Sequence, residues 1–166
     1  YCDAETARQA RALCDVLGLF AKPRMFPVRW ISGAELEAPL PGRAVLRLFP
    51  VLHSVPTCGL AVAEARRRLV YSADTGPCER VVTEAAGAEA LIHEASATAD
   101  HEASLNAAGH CSGRQAAEAA RQAAVARLFL CHFDRKLAAP QAVAEEAAAA
   151  YSGEVVIPAP FTAYEI

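Results

Sequence analysis

From residue 77 onward, short apolar segments alternate with helical ones, and this alternation limits the fold more than any other feature of the chain. The pattern predicts strands at 90–92, 127–131 and 154–157 and helices at 77–86, 112–124 and 140–151. Strands that alternate with helices indicate an α/β layered domain. Ser112 and Gln115 form a Ser-x-x-Gln capping box, which predicts the first turn of the middle helix.

The first half of the chain is more irregular. We predict a surface helix at 3–20, then a proline-interrupted stretch, then a strand at 44–51. A hairpin follows, with strands at 60–63 and 69–72 joined by the charged turn 64–68. No internal repeat or linker divides the sequence, so residues 1–166 are predicted to form a single domain.

Composition excludes several classes of protein. The chain is 54% apolar and 21% charged, which does not fit a disordered tail, and its net charge of −3 includes no basic block for duplex nucleic acid. No apolar run approaches the roughly 20 residues that cross a bilayer. We therefore expect a soluble cytoplasmic protein with no membrane partner, and a homodimer remains open. Six scattered cysteines without a C-x-x-C pair argue against a disulfide framework.

Chemically competent side chains follow four of the apolar segments. His53, Asp74, the pair His93-Glu94 and His132 each come directly after a predicted strand or within three residues of one. In open α/β sheets the ligand crevice lies beyond the carboxyl ends of the strands. Each residue alone has a structural explanation, such as a helix cap for Asp74. Taken together, imidazoles and carboxylates are ligands for Zn²⁺, Mn²⁺ or Fe²⁺.

Five motifs around these residues occur in an order that resembles the metallo-β-lactamase-fold hydrolases, and within them the ribonuclease Z and phosphodiesterase branch. The motifs are His53–Gly59, Tyr71–Thr75, Leu91–Ser96, Gly109–Ser112 followed by Gln115–Ala117, and Leu128–Phe133. The resemblance runs from about residue 46 to the end of the chain. It implies an α/β fold of the αββα sandwich type and a two-metal centre that activates a bridging hydroxide against a phosphodiester.

The resemblance also implies a role for individual residues. His53 would be a ligand of the first metal, His132 a ligand of the second, and Asp74 the bridge between the two metals. A bridge requires an oxygen donor with lone pairs for both metals, which a carboxylate has and a neutral imidazole lacks. His110, held by Glu94, would serve the leaving oxygen as the catalytic pair. His93 and His101 are interpreted as structural, the latter in the polar loop 98–102.

Two departures from the family pattern shape the prediction. The H-x-H-x-D-H signature, which would supply the other ligands, does not occur in this sequence. We therefore expect these residues to be the C-terminal part of a metallo-β-lactamase-type domain, with weak or no metal binding by this chain alone. The second departure is the short turn 64–68, where transfer-RNA-processing members insert a long arm. It favours a small phosphodiester over a transfer-RNA precursor, although RNA stays open.

The intact protein is predicted to be an enzyme, a binuclear metal-dependent hydrolase that cleaves phosphodiesters. It would use two divalent metals, with Zn²⁺ expected first and Mn²⁺ or Fe²⁺ as alternatives. Cys111 and Ser112 stand where the family usually has Ser and Thr. Two other hypotheses remain. The chain could be a non-catalytic binding or dimerisation module, or a hydrolase of lactones or thioesters, because a metal-activated hydroxide also attacks carbonyl carbon.

Overall fold

Seven strands form one mixed sheet whose spatial order follows the chain order. The computed structural model describes residues 4–19, 31–32 and 36–166. The strands are β1 (Leu36–Pro39), β2 (Val45–Pro50), β3 (Cys58–Glu64), β4 (Arg67–Tyr71), β5 (Ala90–Glu94), β6 (Arg127–Cys131) and β7 (Glu154–Val156). Strands β1 to β4 pair antiparallel, and β4 to β7 pair parallel.

Helices connect the parallel strands, as crossovers between parallel strands require. The helices are α1 (Ala4–Val16), α2 (Glu79–Ala85), α3 (Glu102–Ala108), α4 (Gly113–Gln122) and α5 (Pro140–Ala150). Helix α2 connects β4 to β5, α3 and α4 connect β5 to β6, and α5 connects β6 to β7. The predicted α/β class is confirmed.

One face of the sheet is apolar and packs against the helices. A row of paired residues crosses five adjacent strands, namely Ala61, Val70, Leu91, Leu128 and Val155. The first four of these residues belong to the same buried core cluster as alanines of α4 and α5, and the partly buried Val155 packs against that cluster. Gly113 shows how closely these two helices approach, because a Cβ there would lie 2.4 Å from the carbonyl oxygen of Val143.

Two predicted loops contain regular structure. The polar segment around His101 is not a loop, since a 3₁₀ turn at Ala99–His101 leads directly into α3. The residues of this short helix are almost all polar or small, and its one buried side chain is Leu105, so its apolar periodicity is too weak to detect. Strand β1 lies in the proline-interrupted stretch and ends at Pro39, where a proline is tolerated on an edge strand. Pro23 and Pro27 lie outside the described residues.

The remaining predicted elements are present, the strand at 127–131 with its predicted bounds and the others with shifted ends. The hairpin turn shortens to Ala65 and Arg66, and Ala65 has a positive φ of 54°. The Ser112 capping box forms, because its side chain accepts a hydrogen bond from Gln115 N and its own N–H donates to Gln115 Oε1, each at 3.1 Å. Within the described ranges, no helix has both the length and the apolar character that spanning a bilayer requires.

Strand direction sets where the site forms. Strands β4, β5 and β6 are parallel and therefore end at one edge of the sheet. Strand β2 is antiparallel to β3, and β3 is antiparallel to β4, so β2 also ends at that edge. The segments that follow these four strands carry His53, Asp74, Ser96 and His132.

Candidate active site

The structure brings together all five side chains that the sequence singled out, although they span residues 53 to 132. His132 Nε2 lies 3.5 Å from Asp74 Oδ2. The rings of His110 and His132 stack with centroids 5.1 Å apart, and the ring of His53 meets that of His110 edge-on at 4.9 Å. His110 Nδ1 lies 2.7 Å from Glu94 Oε1. The side chains thus form one cluster at the carboxyl edge of the sheet.

The backbone is strained where two of these strands end. Ala73, just after β4, has φ 54°, and His132, just after β6, has φ 59°. Left-handed conformations cost a non-glycine residue about 1–2 kcal/mol, and such strain concentrates at functional sites. Both turns lead directly to the contact between Asp74 and His132.

Glu94 is the buried centre of the cluster. Its side chain is 1% exposed. Oε1 accepts hydrogen bonds from Thr75 N at 2.8 Å and from His110 Nδ1 at 2.7 Å. Oε2 accepts from Ser96 Oγ at 3.2 Å and from Cys111 N at 3.1 Å. Four donors match the acceptor capacity of an ionised carboxylate. Glu94 therefore ties together the loops after β4 and β5 and the loop between α3 and α4.

This arrangement bears on how Glu94 could act toward a metal. Potential ligand atoms of Glu94, His110 and His132 lie within 4.8 Å of one another. However, both oxygens of Glu94 already accept two hydrogen bonds each. The geometry favours Glu94 as an orienting group for His110 over Glu94 as a ligand.

We expect Glu94→Gln to destabilise the fold by about 1–3 kcal/mol, the cost of leaving a buried donor without an acceptor. In either orientation the new amide NH₂ faces a backbone N–H, that of Thr75 or that of Cys111. Urea unfolding measures the loss. Glu145→Gln is the matched control, because Glu145 is exposed on α5 and its change should stay within about 0.5 kcal/mol. Equal losses of unfolding free energy in both variants would contradict the conclusion that Glu94 joins the three loops through its four hydrogen bonds.

His53 is positioned by a glycine. Its Nδ1 lies 3.0 Å from the carbonyl oxygen of Gly109, so Nδ1 donates and Nε2 is left as the potential ligand atom. Gly109 itself has φ 85°, and a Cβ there would lie 2.8 Å from both Cα and Nδ1 of His53. Only glycine satisfies both the backbone conformation and the close approach.

Gly109→Ala should therefore cost more than backbone strain alone. Gly87→Ala is a matched control, because Gly87 also has a positive φ, of 67°, but a Cβ there meets nothing within 4 Å. The control should lose about 1–2 kcal/mol of unfolding free energy, and Gly109→Ala should lose clearly more and shift the NMR signals of the His53 ring. Equal losses with an unmoved His53 ring would show that the close contact is unimportant.

The donor set suits divalent cations. Asp74 and His132 have side chains that are 35% and 46% exposed. His53 and His132 each engage Nδ1 in a contact, with Gly109 O and with Ser96 Oγ at 3.3 Å, and each keeps Nε2 for a ligand bond. Two imidazoles and one carboxylate are donors that Zn²⁺, Mn²⁺ and Fe²⁺ accept. The residues present thus fit part of a metal centre.

Two cysteines close to Glu94 do not suit nucleophilic catalysis. Burial raises the pKa of Cys131 to about 11, with smaller contributions from the negative charges of Glu94 and Asp74. Burial also raises the pKa of Cys111, which is 1% exposed. Both thiols stay protonated at neutral pH, and a protonated thiol is a weak nucleophile.

His93 lies on the other side of β5 from Glu94 and is 2% exposed. Its Nδ1 lies 2.6 Å from the carbonyl oxygen of Glu94. Burial lowers the pKa of His93 below its ordinary value, despite the opposing effects of that hydrogen bond and of the Glu94 charge. This placement agrees with the structural interpretation.

The lowered pKa of His93 predicts a pH dependence of stability. At a pH between the folded-state and unfolded-state pKa values of His93, the unfolded chain binds one more proton than the folded chain. The contribution of His93 to the free energy of unfolding is therefore complete above about pH 6.5 and is lost as the pH falls below that value. The urea concentration at the unfolding midpoint should therefore decrease when the pH is lowered from 7.5 to 5.5. His93→Asn, which keeps a donor near Nδ1, should flatten this dependence, whereas His101→Asn should not. An unchanged slope in His93→Asn would contradict the prediction.

Three residues of the site went unassigned in the sequence, namely Thr75, Ser96 and Gly109. Thr75 Oγ1 accepts a hydrogen bond from Leu52 N at 3.2 Å, and Gly76 N donates to Leu52 O at 2.7 Å, so the loops carrying His53 and Asp74 are joined. All three lie inside the quoted motifs, and that position is the only sequence signal for them.

The mixed sheet, its helical layer and the cluster at the strand ends together define a protein of the metallo-β-lactamase fold. Among solved structures, the metallo-β-lactamase fold protein YhfI from Bacillus subtilis superposes with a TM-score of 0.66 at 23% identity, covering 72% of this chain and 48% of that one. The family model described as the beta-lactamase superfamily domain matches residues 1–133. The chain belongs to this superfamily.

Sequence relatives of known name place the chain near one branch of the superfamily. The chain is 41% identical to ribonuclease Z of Thermoplasma acidophilum over 81 residues, which cover 49% of this chain and 26% of that protein. It is 40% identical to ribonuclease Z of Ignicoccus hospitalis over 137 residues, covering 55% of this chain and 46% of that protein. The chain thus spans between a quarter and a half of the length of these relatives. The resemblance to the ribonuclease Z branch is confirmed.

Proposed function

We propose that the intact protein is a metal-dependent phosphodiester hydrolase. The observation that carries the proposal is the pair of buried Glu94 and partly buried His110, which lies beside the partly exposed donors of His53, Asp74 and His132. The ribonuclease Z relatives support phosphodiester chemistry.

The residues divide into two groups in this proposal. Nε2 of His53, Nε2 of His132 and the carboxylate of Asp74 would hold the metals, and the two oxygens of Asp74 would allow it to serve both. Divalent metals bound there would polarise a phosphoryl oxygen and lower the pKa of water. Zn²⁺ fits the donors best, because imidazole and carboxylate are its usual ligands at catalytic sites.

His110 acts on the other side of the reaction. Its Nδ1–H donates to Glu94 Oε1, which leaves Nε2 as the atom that exchanges a proton. A carboxylate partner stabilises the imidazolium form and keeps the ring in one orientation. His110 Nε2 then delivers its proton to the departing oxygen of the substrate, and Glu94 keeps the charge on His110 compensated.

The ligand count supports a further part of the proposal. Two metals need more than the three ligands found here, so we propose that an H-x-H-x-D-H segment outside this sequence supplies the rest. Metal binding by residues 1–166 alone should then be weak, which elemental analysis after dialysis against trace Zn²⁺ or Mn²⁺ tests. Two tightly held metals per chain would contradict this ligand count.

The substrate we propose is a small phosphodiester. Only Ala65 and Arg66 separate β3 from β4, so the hairpin carries no long arm to grip a folded RNA. A transfer-RNA precursor is accordingly the less favoured substrate.

The test uses the protein expressed from its complete coding sequence. It is assayed with added Zn²⁺ or Mn²⁺ on bis-p-nitrophenyl phosphate, a dinucleotide, a transfer-RNA precursor, a lactone and a thioester. Chelator-sensitive hydrolysis of the first two supports the proposal. Cleavage of the lactone or thioester alone would assign the chemistry to carbonyl carbon, and no hydrolysis with metal bound would indicate a binding module.

A further inference from the structure

Ser96 lies between Glu94, which holds the proposed proton donor His110, and His132, a proposed metal ligand. It lies just after β5, is 3% exposed, and directs its Oγ between two side chains. Glu94 Oε2 lies 3.2 Å from this oxygen, and His132 Nδ1 lies 3.3 Å from it. The same Oγ also lies 3.3 Å from the backbone carbonyl of His132.

The hydroxyl has one proton to donate, and the acceptors within reach are Glu94 Oε2 and two neutral ones, His132 O and, in the Nε2–H tautomer, His132 Nδ1. An ionised carboxylate is the stronger acceptor, since hydrogen bonds to charged groups are roughly twice as strong as neutral ones. When the hydroxyl donates to Glu94, its lone pairs face His132 Nδ1. For the 3.3 Å contact to be a hydrogen bond, Nδ1 must then carry a proton, and the chain of donors runs from His132 through Ser96 to Glu94.

We propose that Ser96 is a positioning residue whose hydroxyl relays the orienting effect of Glu94 to His132 through two hydrogen bonds. One buried carboxylate then orients two histidines. Glu94 holds His110 directly and His132 through the Ser96 hydroxyl. The relay keeps the proton of His132 on Nδ1 and leaves the lone pair on Nε2, the atom that faces Asp74. A carboxylate behind a ligating histidine raises the basicity of the ring, which strengthens its bond to a metal.

This inference rests on the proposed function, because the Nδ1–H form of His132 strengthens metal binding only if His132 is a metal ligand. The prediction about the proton on His132, however, concerns this chain as it stands and needs neither metal nor substrate.

Two variants of equal volume isolate the hydroxyl. Ser96→Thr keeps the hydroxyl and adds a methyl group, whereas Ser96→Val has the same shape without the hydroxyl. For the first measurement, both are compared with the wild type in the chain of residues 1–166. Ser96→Ala repeats the comparison without added bulk, should the larger side chains disturb folding.

The first measurement is the tautomer of His132, read from ¹⁵N NMR of the histidine rings above pH 8 without metal. The wild type and Ser96→Thr should show the Nδ1–H form. Ser96→Val and Ser96→Ala should shift His132 toward the Nε2–H form, which can donate to Asp74. His110 should keep its Nδ1–H form in all four proteins, because its contact with Glu94 is direct.

The second measurement is the Zn²⁺ affinity of the wild type and the three variants by calorimetric titration, with each protein expressed from its complete coding sequence. Loss of a partner behind a ligand typically costs 10–100-fold in affinity, so Ser96→Val and Ser96→Ala should bind within that range more weakly than Ser96→Thr. A His132 that stays in the Nδ1–H form in Ser96→Ala, or is in the Nε2–H form in the wild type, would overturn the relay. An intact tautomer effect with no change in Zn²⁺ affinity would instead remove His132 from the ligand set and contradict the proposed function.

Discussion

Asp74→Ala is expected to abolish turnover of phosphodiesters by the intact protein and to weaken metal binding by more than 100-fold. The loss should exceed the 10–100-fold that follows from removing a partner behind a ligand, because Asp74 is proposed to be a ligand of both metals. Stability should hardly change. The described contact of Asp74 is a 3.5 Å pair with His132 between partly exposed groups, and such pairs contribute at most about 1 kcal/mol.

The control for this variant removes the same charge nearby. Asp134 is exposed in the loop after β6, and its Oδ1 accepts a hydrogen bond from Lys136 N at 2.9 Å. Asp134→Ala should keep metal and turnover. Metal content by elemental analysis, turnover of bis-p-nitrophenyl phosphate and urea unfolding are measured for both variants. An Asp74→Ala protein that keeps its metal would remove Asp74 from the site.

His110→Ala is expected to keep its metal and to lose turnover in a way that depends on the leaving group. General acid catalysis typically contributes about 10²–10⁴-fold. Because p-nitrophenolate is a good leaving group that needs little protonation, bis-p-nitrophenyl phosphate should largely hide the defect. A dinucleotide with an alkoxide leaving group should show the full loss.

The comparison separates a proton donor from a ligand. His101→Ala serves as the control, since His101 lies in the 3₁₀ turn before α3 and is interpreted as structural. Equal losses on both substrates would remove His110 from its acid role. Loss of metal would make His110 a ligand, as its position within 4.8 Å of donor atoms of His132 and Glu94 would allow.

Local sequence patterns predicted the elements that carry the site. The apolar segments that end before His53, Asp74 and His132 are all strands, and their shared direction places the side chains at one edge. The capping box at Ser112 formed as predicted because it depends on residues three apart. These features follow from neighbours along the chain.

The connections across the site could not be predicted in the same way. The Ser96 hydroxyl meets His132 across 36 positions, and Gly109 meets His53 across 56, so neither contact leaves a local pattern. Helix α3 was missed because its residues are almost all polar or small and only Leu105 is buried. Such features become visible only after the loops have been brought together in space.

The most direct test of the metal centre is anomalous X-ray scattering from crystals of this chain soaked in millimolar Zn²⁺, a concentration that fills a weak site. We expect a zinc peak bonded to Asp74 and to Nε2 of His53 or His132, at the roughly 2.0–2.2 Å typical of these ligands. Glu94 should keep its four hydrogen bonds in the same crystals. A zinc ion bound by Glu94 and His110, with Asp74 unbound, would contradict this assignment of the metal ligands.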